Sequence, residues 1–135
     1  MGEAERSLEG LRVRTGDGVD LAVQVAGEGP PVILANGIGV RHPGWARFVA
    51  HLRRRHRVIC WDYRGIGGSA TDARRKGFAM SRHAWDALEI LDALGEDRAA
   101  AIGWSMGVPV ALEMIRAAPK RISHLAALFG APGRP

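Results

Sequence analysis

The chemistry written most directly into this chain lies in AIGWSMGVPV, residues 101 to 110, where Ser105 stands between Gly103 and Gly107 as an apolar run gives way to a helix-like pattern. G-x-S-x-G between a strand and a helix has the spacing of a nucleophile elbow. The sharp turn holds the serine in a strained conformation that needs small neighbours, and it points the hydroxyl off the sheet. Such a hydroxyl can attack a carbonyl, form an acyl-enzyme and release the acid to water, provided a base takes its proton. The pentapeptide alone does not establish this, because the chain carries 18 glycines and strand-to-helix turns also use glycine for purely structural reasons. The elements around it have to decide.

LRVRT and VDLAVQVA alternate around Gly16-Asp17-Gly18, which predicts an N-terminal antiparallel hairpin. VILA, RVICWD and RAAAIGW are short apolar runs of the kind shown by strands covered on both faces, and ISHLAALFG reads as a final strand. Between them the period changes to that of helices. Trp45, Phe48, Val49 and Leu52 form one stripe, and Ala84, Ala87, Leu88, Leu91 and Leu94 form a second, closed by Gly95. Val108, Ala111, Leu112 and Ile115 form a third, ended by Pro119. Apolar strands alternating with helices predict an α/β fold: a mainly parallel sheet with an N-terminal antiparallel hairpin and helices on both faces. At 135 residues the chain is one domain, 1–135.

Three loops, NGIG (36 to 39), DYRGIGGS (62 to 69) and GWSMG (103 to 107), each follow a buried strand and so meet at the carboxyl edge of the sheet, where such folds handle small molecules. With these loops in place the sequence resembles the N-terminal part of the α/β-hydrolase fold family, in its serine-nucleophile, esterase-like branch. The resemblance implies Ser105 as nucleophile and the backbone N–H groups of Ile38 and Met106 as oxyanion-hole donors, with Asn36 where a histidine is frequent. It implies scaffold roles for Asp62 and Arg64. An aspartate at the elbow would mark the family's epoxide hydrolases and haloalkane dehalogenases; the serine shifts the expectation to carboxylic esters or related acyl substrates.

The family takes its acid and base from positions downstream of the elbow, in the order Ser, Asp/Glu, His. Here that stretch offers Glu113, mid-helix, and His124, at the start of the last strand, and neither matches a family position. His42, after the first loop, and His83, opening the second amphipathic helix, are the histidines that could lie on the active edge. The later strands, the lid and the histidine loop are absent, so the enzyme is expected to be incomplete as this chain. Two readings therefore stand. One is a serine hydrolase; the other is a non-catalytic fragment or ligand-binding protein that has lost the Asp/His relay. A non-haem peroxidase-like activity would use the same serine constellation.

The net charge of +5 scatters over helix ends and one loop, in HLRRRHR, ARRKG and RAAPKR, without interleaved aromatics, which argues against nucleic acid as a partner. Cys60 is the only cysteine, so no disulfide framework exists, and with no export or membrane signal the expectation is a cytoplasmic protein. Neither a metal-ligand spacing nor a nucleotide-binding motif is present, and no cofactor is expected. The remaining expectations are Trp45 and Trp85 at core or pocket positions, Trp104 as a pocket wall, and self-association or capture of a complementary segment along the apolar edge LAALFGA.

Overall fold

The computed structural model describes residues 9–37, 46–69 and 79–130. Their strands are β1 (Glu9–Arg14), β2 (Asp20–Ala26), β3 (Pro31–Ala35), β4 (Arg57–Trp61), β5 (Ala99–Trp104) and β6 (Ile122–Leu128). The helices are α1 (Ala46–Leu52), α2 (Met80–Ala93) and α3 (Gly107–Ala117). The six strands form one sheet in the order β1-β2-β4-β3-β5-β6. β1 pairs antiparallel with β2 and β2 antiparallel with β4, while β4, β3, β5 and β6 are mutually parallel. This is the expected architecture, and its parallel half brings the ends of β3, β4 and β5 to one edge.

Period-two alternation divides the core between the two faces. Leu21, Val23, Ile33, Ile59, Trp61 and Ala101 point to one side and pack under α2 and α3. Val32, Leu34, Val58 and Cys60 point to the other, where Val49 of α1 covers them. Burial there pushes the Cys60 thiol up to about 12, so it behaves as a small apolar side chain. Gly95, at φ +72°, stops α2 by taking up the left-handed conformation that a side chain disfavours.

Two helix stripes differ from the periodic reading. α3 buries Gly107, Val108, Val110, Ala111 and Met114, leaving Leu112 and Ile115 only partly covered. The stripe begins one residue before Val108, at a glycine that a count of apolar side chains omits, and Gly107, Val110, Ala111 and Met114 then recur at helical spacing. Phe48 is 40% exposed and Trp85 50% exposed, so neither is a core residue. Trp45 lies outside the described residues.

The charged group at the centre of the fold is Arg64, fully buried just beyond β4. Its guanidinium donates from Nε and Nη2 to the Asp86 carboxylate of α2 at 2.8 and 2.7 Å, and from Nη1 and Nη2 to Asp17 of the β1–β2 turn at 2.8 and 3.1 Å. These hydrogen bonds hold Asp17 well below the usual carboxylate range and keep Arg64 charged, against the desolvation that burial imposes. Arg82, one turn before Asp86, adds a second cation at 2.9 Å. Hairpin, loop and helix are thereby tied at one point. Replacing Arg64 by methionine removes the bidentate partner of the buried Asp86 carboxylate and leaves it Arg82 alone, and we expect a loss of up to about 3 kcal/mol in urea unfolding. The double variant Arg64→Met, Asp86→Leu should regain much of that loss, because the buried carboxylate that lost its main partner is then gone.

Candidate active site

Ser105 and Met106 form the whole connection between β5 and α3. Ser105 has φ 55°, the left-handed region that non-glycine residues rarely enter, and its side chain is exposed at the corner. Three close approaches hold it there. A Cβ on Gly107 would lie 1.9 Å from the Ala35 carbonyl oxygen, and one on Gly103 would lie 2.5 Å from the Gly107 carbonyl oxygen. A Cβ on Gly130, beyond the end of β6, would lie 2.6 Å from the carbonyl oxygen of Ser105 itself. Glycine at 103 and 107 is therefore required by backbone contact, whatever the serine does.

Hydrogen bonds set the direction of the corner. The Ser105 N–H donates to the Leu128 carbonyl at 2.9 Å, and the Ser105 carbonyl accepts from the Val108 N–H at 3.0 Å. The next donor, the Met106 N–H, meets no acceptor among the described residues and stands at the N-terminal end of α3, where the helix dipole favours negative charge. Ile38, the other expected donor, lies outside the described residues. Asn36 and Gly37, which lead to it, are buried at the end of β3.

The loop after β4 forms the adjoining wall. Asp62 accepts the Gly68 N–H at 2.9 Å, and the Gly67 backbone, at φ +52°, passes so close that a Cβ there would lie 2.6 Å from Asp62 Oδ2. Ser69, fully buried, donates to the Asp62 carbonyl at 2.7 Å and accepts the Ala22 N–H at 2.8 Å. Asp62 and Arg64 thus each carry loop structure. Tyr63, between them, donates its hydroxyl to the Asn36 carbonyl at 2.6 Å.

Among the described residues no carboxylate or imidazole is hydrogen-bonded to the Ser105 hydroxyl. Glu113 pairs with Arg116 at 2.7 Å on the surface of α3. His124 is exposed near the start of β6, where Ile122 pairs with Ala99 at the beginning of β5, so it lies at the opposite end of the sheet from Ser105. His83 is buried in the core, its ring 4.6 Å from that of Tyr63, with Nδ1 unpartnered among the described residues. His42 lies outside the described residues. Trp104 is half-buried and packs against the α1 side of the core. No group of three His, Cys, Asp or Glu among the described residues could hold a metal ion. No helix among them is long and apolar enough to cross a membrane.

The family model for the alpha/beta hydrolase fold matches residues 30–132. The chain belongs to the α/β-hydrolase fold family. Within it, the chain is 35% identical over 112 residues to the pimeloyl-[acyl-carrier protein] methyl ester esterase of Methylococcus capsulatus, which covers 83% of this chain and 41% of that protein. Among solved structures it resembles Est816, described as an N-acyl homoserine lactone degrading enzyme, with TM-score 0.83 and 29% identity over 89% of this chain and 45% of that one. It also resembles the epoxide hydrolase CorEH, with TM-score 0.87 and 26% identity over 93% of this chain and 44% of that one. The chain spans less than half the length of the curated relatives it matches.

Three partners in this α/β-hydrolase site escape a reading of spacing alone. Asp17 reads as a turn residue, yet it also completes the Arg64 clamp. Asp86 is buried on the inner face of α2, and a carboxylate placed among apolar helix positions was the available signal that a cation must meet it. Tyr63 reads only as part of DYRG; its bond to Asn36 appears once β3 and β4 lie side by side.

His83 supplies a pH test of this packing. Burial is the largest influence on it and lowers its pKa from the usual 6.5, with Asp86 opposing and Arg64 and Arg82 reinforcing. The unfolded chain therefore binds a proton more readily than the folded one, and stability falls as pH drops through 6.5 toward the lowered folded value. Urea midpoints at about pH 7.5 and about pH 5.5 should differ more for the wild type than for His83→Phe; equal losses would contradict the buried neutral imidazole.

Proposed function

We propose that this chain carries the nucleophile half of a serine hydrolase that acts on a carboxylic ester or related acyl substrate through an acyl-enzyme on Ser105. The observation that supports it most is the φ of 55° at an exposed serine in a two-residue strand-to-helix corner. A structural turn has no need to place a serine in that conformation, whereas a nucleophile gains an exposed hydroxyl beside helix N–H groups. Attack of Ser105 Oγ on the substrate carbonyl forms the C–O bond, the proton passes to a base, and the developing oxyanion takes hydrogen bonds from the N–H groups of Met106 and Ile38. Collapse expels the alcohol, and water then releases the acid.

The relatives support acyl chemistry as the class, since one is named as a methyl ester esterase and another is described as degrading a lactone. Epoxide opening is the less favoured family chemistry, because residue 105 is a serine and not the carboxylate nucleophile that such members use. A ligand-binding role without catalysis is favoured by a different observation: no acid or imidazole among the described residues reaches the Ser105 hydroxyl. In either case the substrate is a small molecule reached at the carboxyl edge of the sheet.

A fluorophosphonate probe distinguishes the two. Labelling is expected at Ser105, the exposed hydroxyl at the helix N-terminus, and it should vanish in Ser105→Ala. A folded chain that stays unlabelled favours the ligand-binding role.

Among the described residues β6 has a strand neighbour on one side only, and Leu125, Ala126 and Ala127 are exposed along it. We propose that this edge pairs with a further strand, and that the chain by itself supplies one from a second copy. Size-exclusion chromatography should show concentration-dependent association that a lysine at Leu125 weakens; a monomer at all concentrations would refute it.

A further inference from the structure

We propose that Tyr63 is a positioning residue for the loop after β3: its hydroxyl, by holding the Asn36 carbonyl, sets the Asn36–Gly37 peptide, which immediately precedes the proposed donor, residue 38. The inference rests on the serine-hydrolase reading for its catalytic meaning, and on geometry alone for the positioning itself.

β3 leaves the ladder at Ala35, whose partner is Gly103, so the carbonyl of the next residue has no strand to accept from. Asn36 is buried, and its own side-chain Oδ1 has no partner among the described residues, so that oxygen does not tie the loop down. The Tyr63 hydroxyl fills the gap at 2.6 Å. Because the peptide is planar and trans, fixing the Asn36 carbonyl fixes the Gly37 N–H on the opposite side of the same plane. It also fixes the direction in which the chain leaves the sheet.

Tyr63 is itself immobilised. Its ring meets Trp61 edge-on, with centroids 5.3 Å apart at 85°, and rests against His83 on the other side. The following residue is Arg64, locked to α2 and to the β1–β2 turn. Packing alone would be served by phenylalanine. A buried phenol costs free energy unless its hydroxyl is bonded, and here the bond goes to the loop.

Tyr63→Phe keeps the ring and removes only the oxygen. In backbone NMR of the full chain we expect the Asn36 carbonyl and Gly37 amide resonances to move and the Gly37 order parameter to fall, while the amides of Ser105 and Met106 stay in place. In fluorophosphonate labelling the maximal rate should fall about tenfold or more with the half-saturating probe concentration unchanged, the signature of a misplaced donor in an intact site. Unmoved Asn36 and Gly37 resonances would overturn the inference. If the wild type takes no label, the serine-hydrolase reading fails, and the NMR result still decides the positioning. Should Tyr63→Phe not fold, 3-fluorotyrosine can replace the single tyrosine of the chain. The more acidic phenol strengthens the bond and should shift the Asn36 carbonyl carbon; an unshifted carbon overturns the inference.

Discussion

The contact on which the rest of the site depends is the seating of α3 against the sheet, backbone upon backbone. Gly107 lies where any side-chain carbon would stand 1.9 Å from the Ala35 carbonyl, and Gly103 lies beneath Gly107 with as little room. This approach brings the start of the helix down onto β3 and β5, leaving two residues to reverse the chain. A turn that short cannot be made with ordinary backbone angles, so the strain falls on Ser105. The exposure of its hydroxyl and the orientation of the Met106 N–H follow from the same contact. Strain of this kind persists only where surrounding packing over-determines it, and Gly130, pressed on the Ser105 carbonyl from β6, adds a third constraint.

The second support is electrostatic and lies one strand away. A buried arginine is costly, and Arg64 is tolerated because Asp86 and Asp17 occupy its fork in planar pairs. Such a cluster adds little net stability compared with an apolar replacement of both partners. Its value is geometric: it gives the loop after β4 one position relative to both the hairpin and α2. Tyr63 and Asp62 inherit that position, and the loop after β3 leans on Tyr63. The edge of the sheet is therefore braced from the hairpin across to the helix, and Ser105 stands on a rigid frame.

Solved structures described as a lactone-degrading enzyme and as an epoxide hydrolase superpose on this chain with TM-scores of 0.83 and 0.87, so one fold carries both descriptions. That is the expected behaviour of a fold whose strands fix positions and whose loop residues supply chemistry.

Much of this was legible in the chain itself. The alternation of apolar residues and the three helical stripes determine the elements, because a half-buried strand and an amphipathic helix each leave a periodic trace. The glycines flanking Ser105 point to a corner, because only they permit backbones to approach so closely. Other features have no local trace. The rotation of α3 onto Gly107 depends on how near Ala35 comes, and the exposure of Trp85 and Phe48 depends on which neighbours the helices find. Asp17 and Asp86 are separated from Arg64 by 47 and 22 positions, and Tyr63 from Asn36 by 27. Sequence thus determined periodicity and the places where the chain could bend. Tertiary structure alone decided which buried charges and carbonyls met, because a hydrogen bond is settled by distance in space and not by distance along the chain.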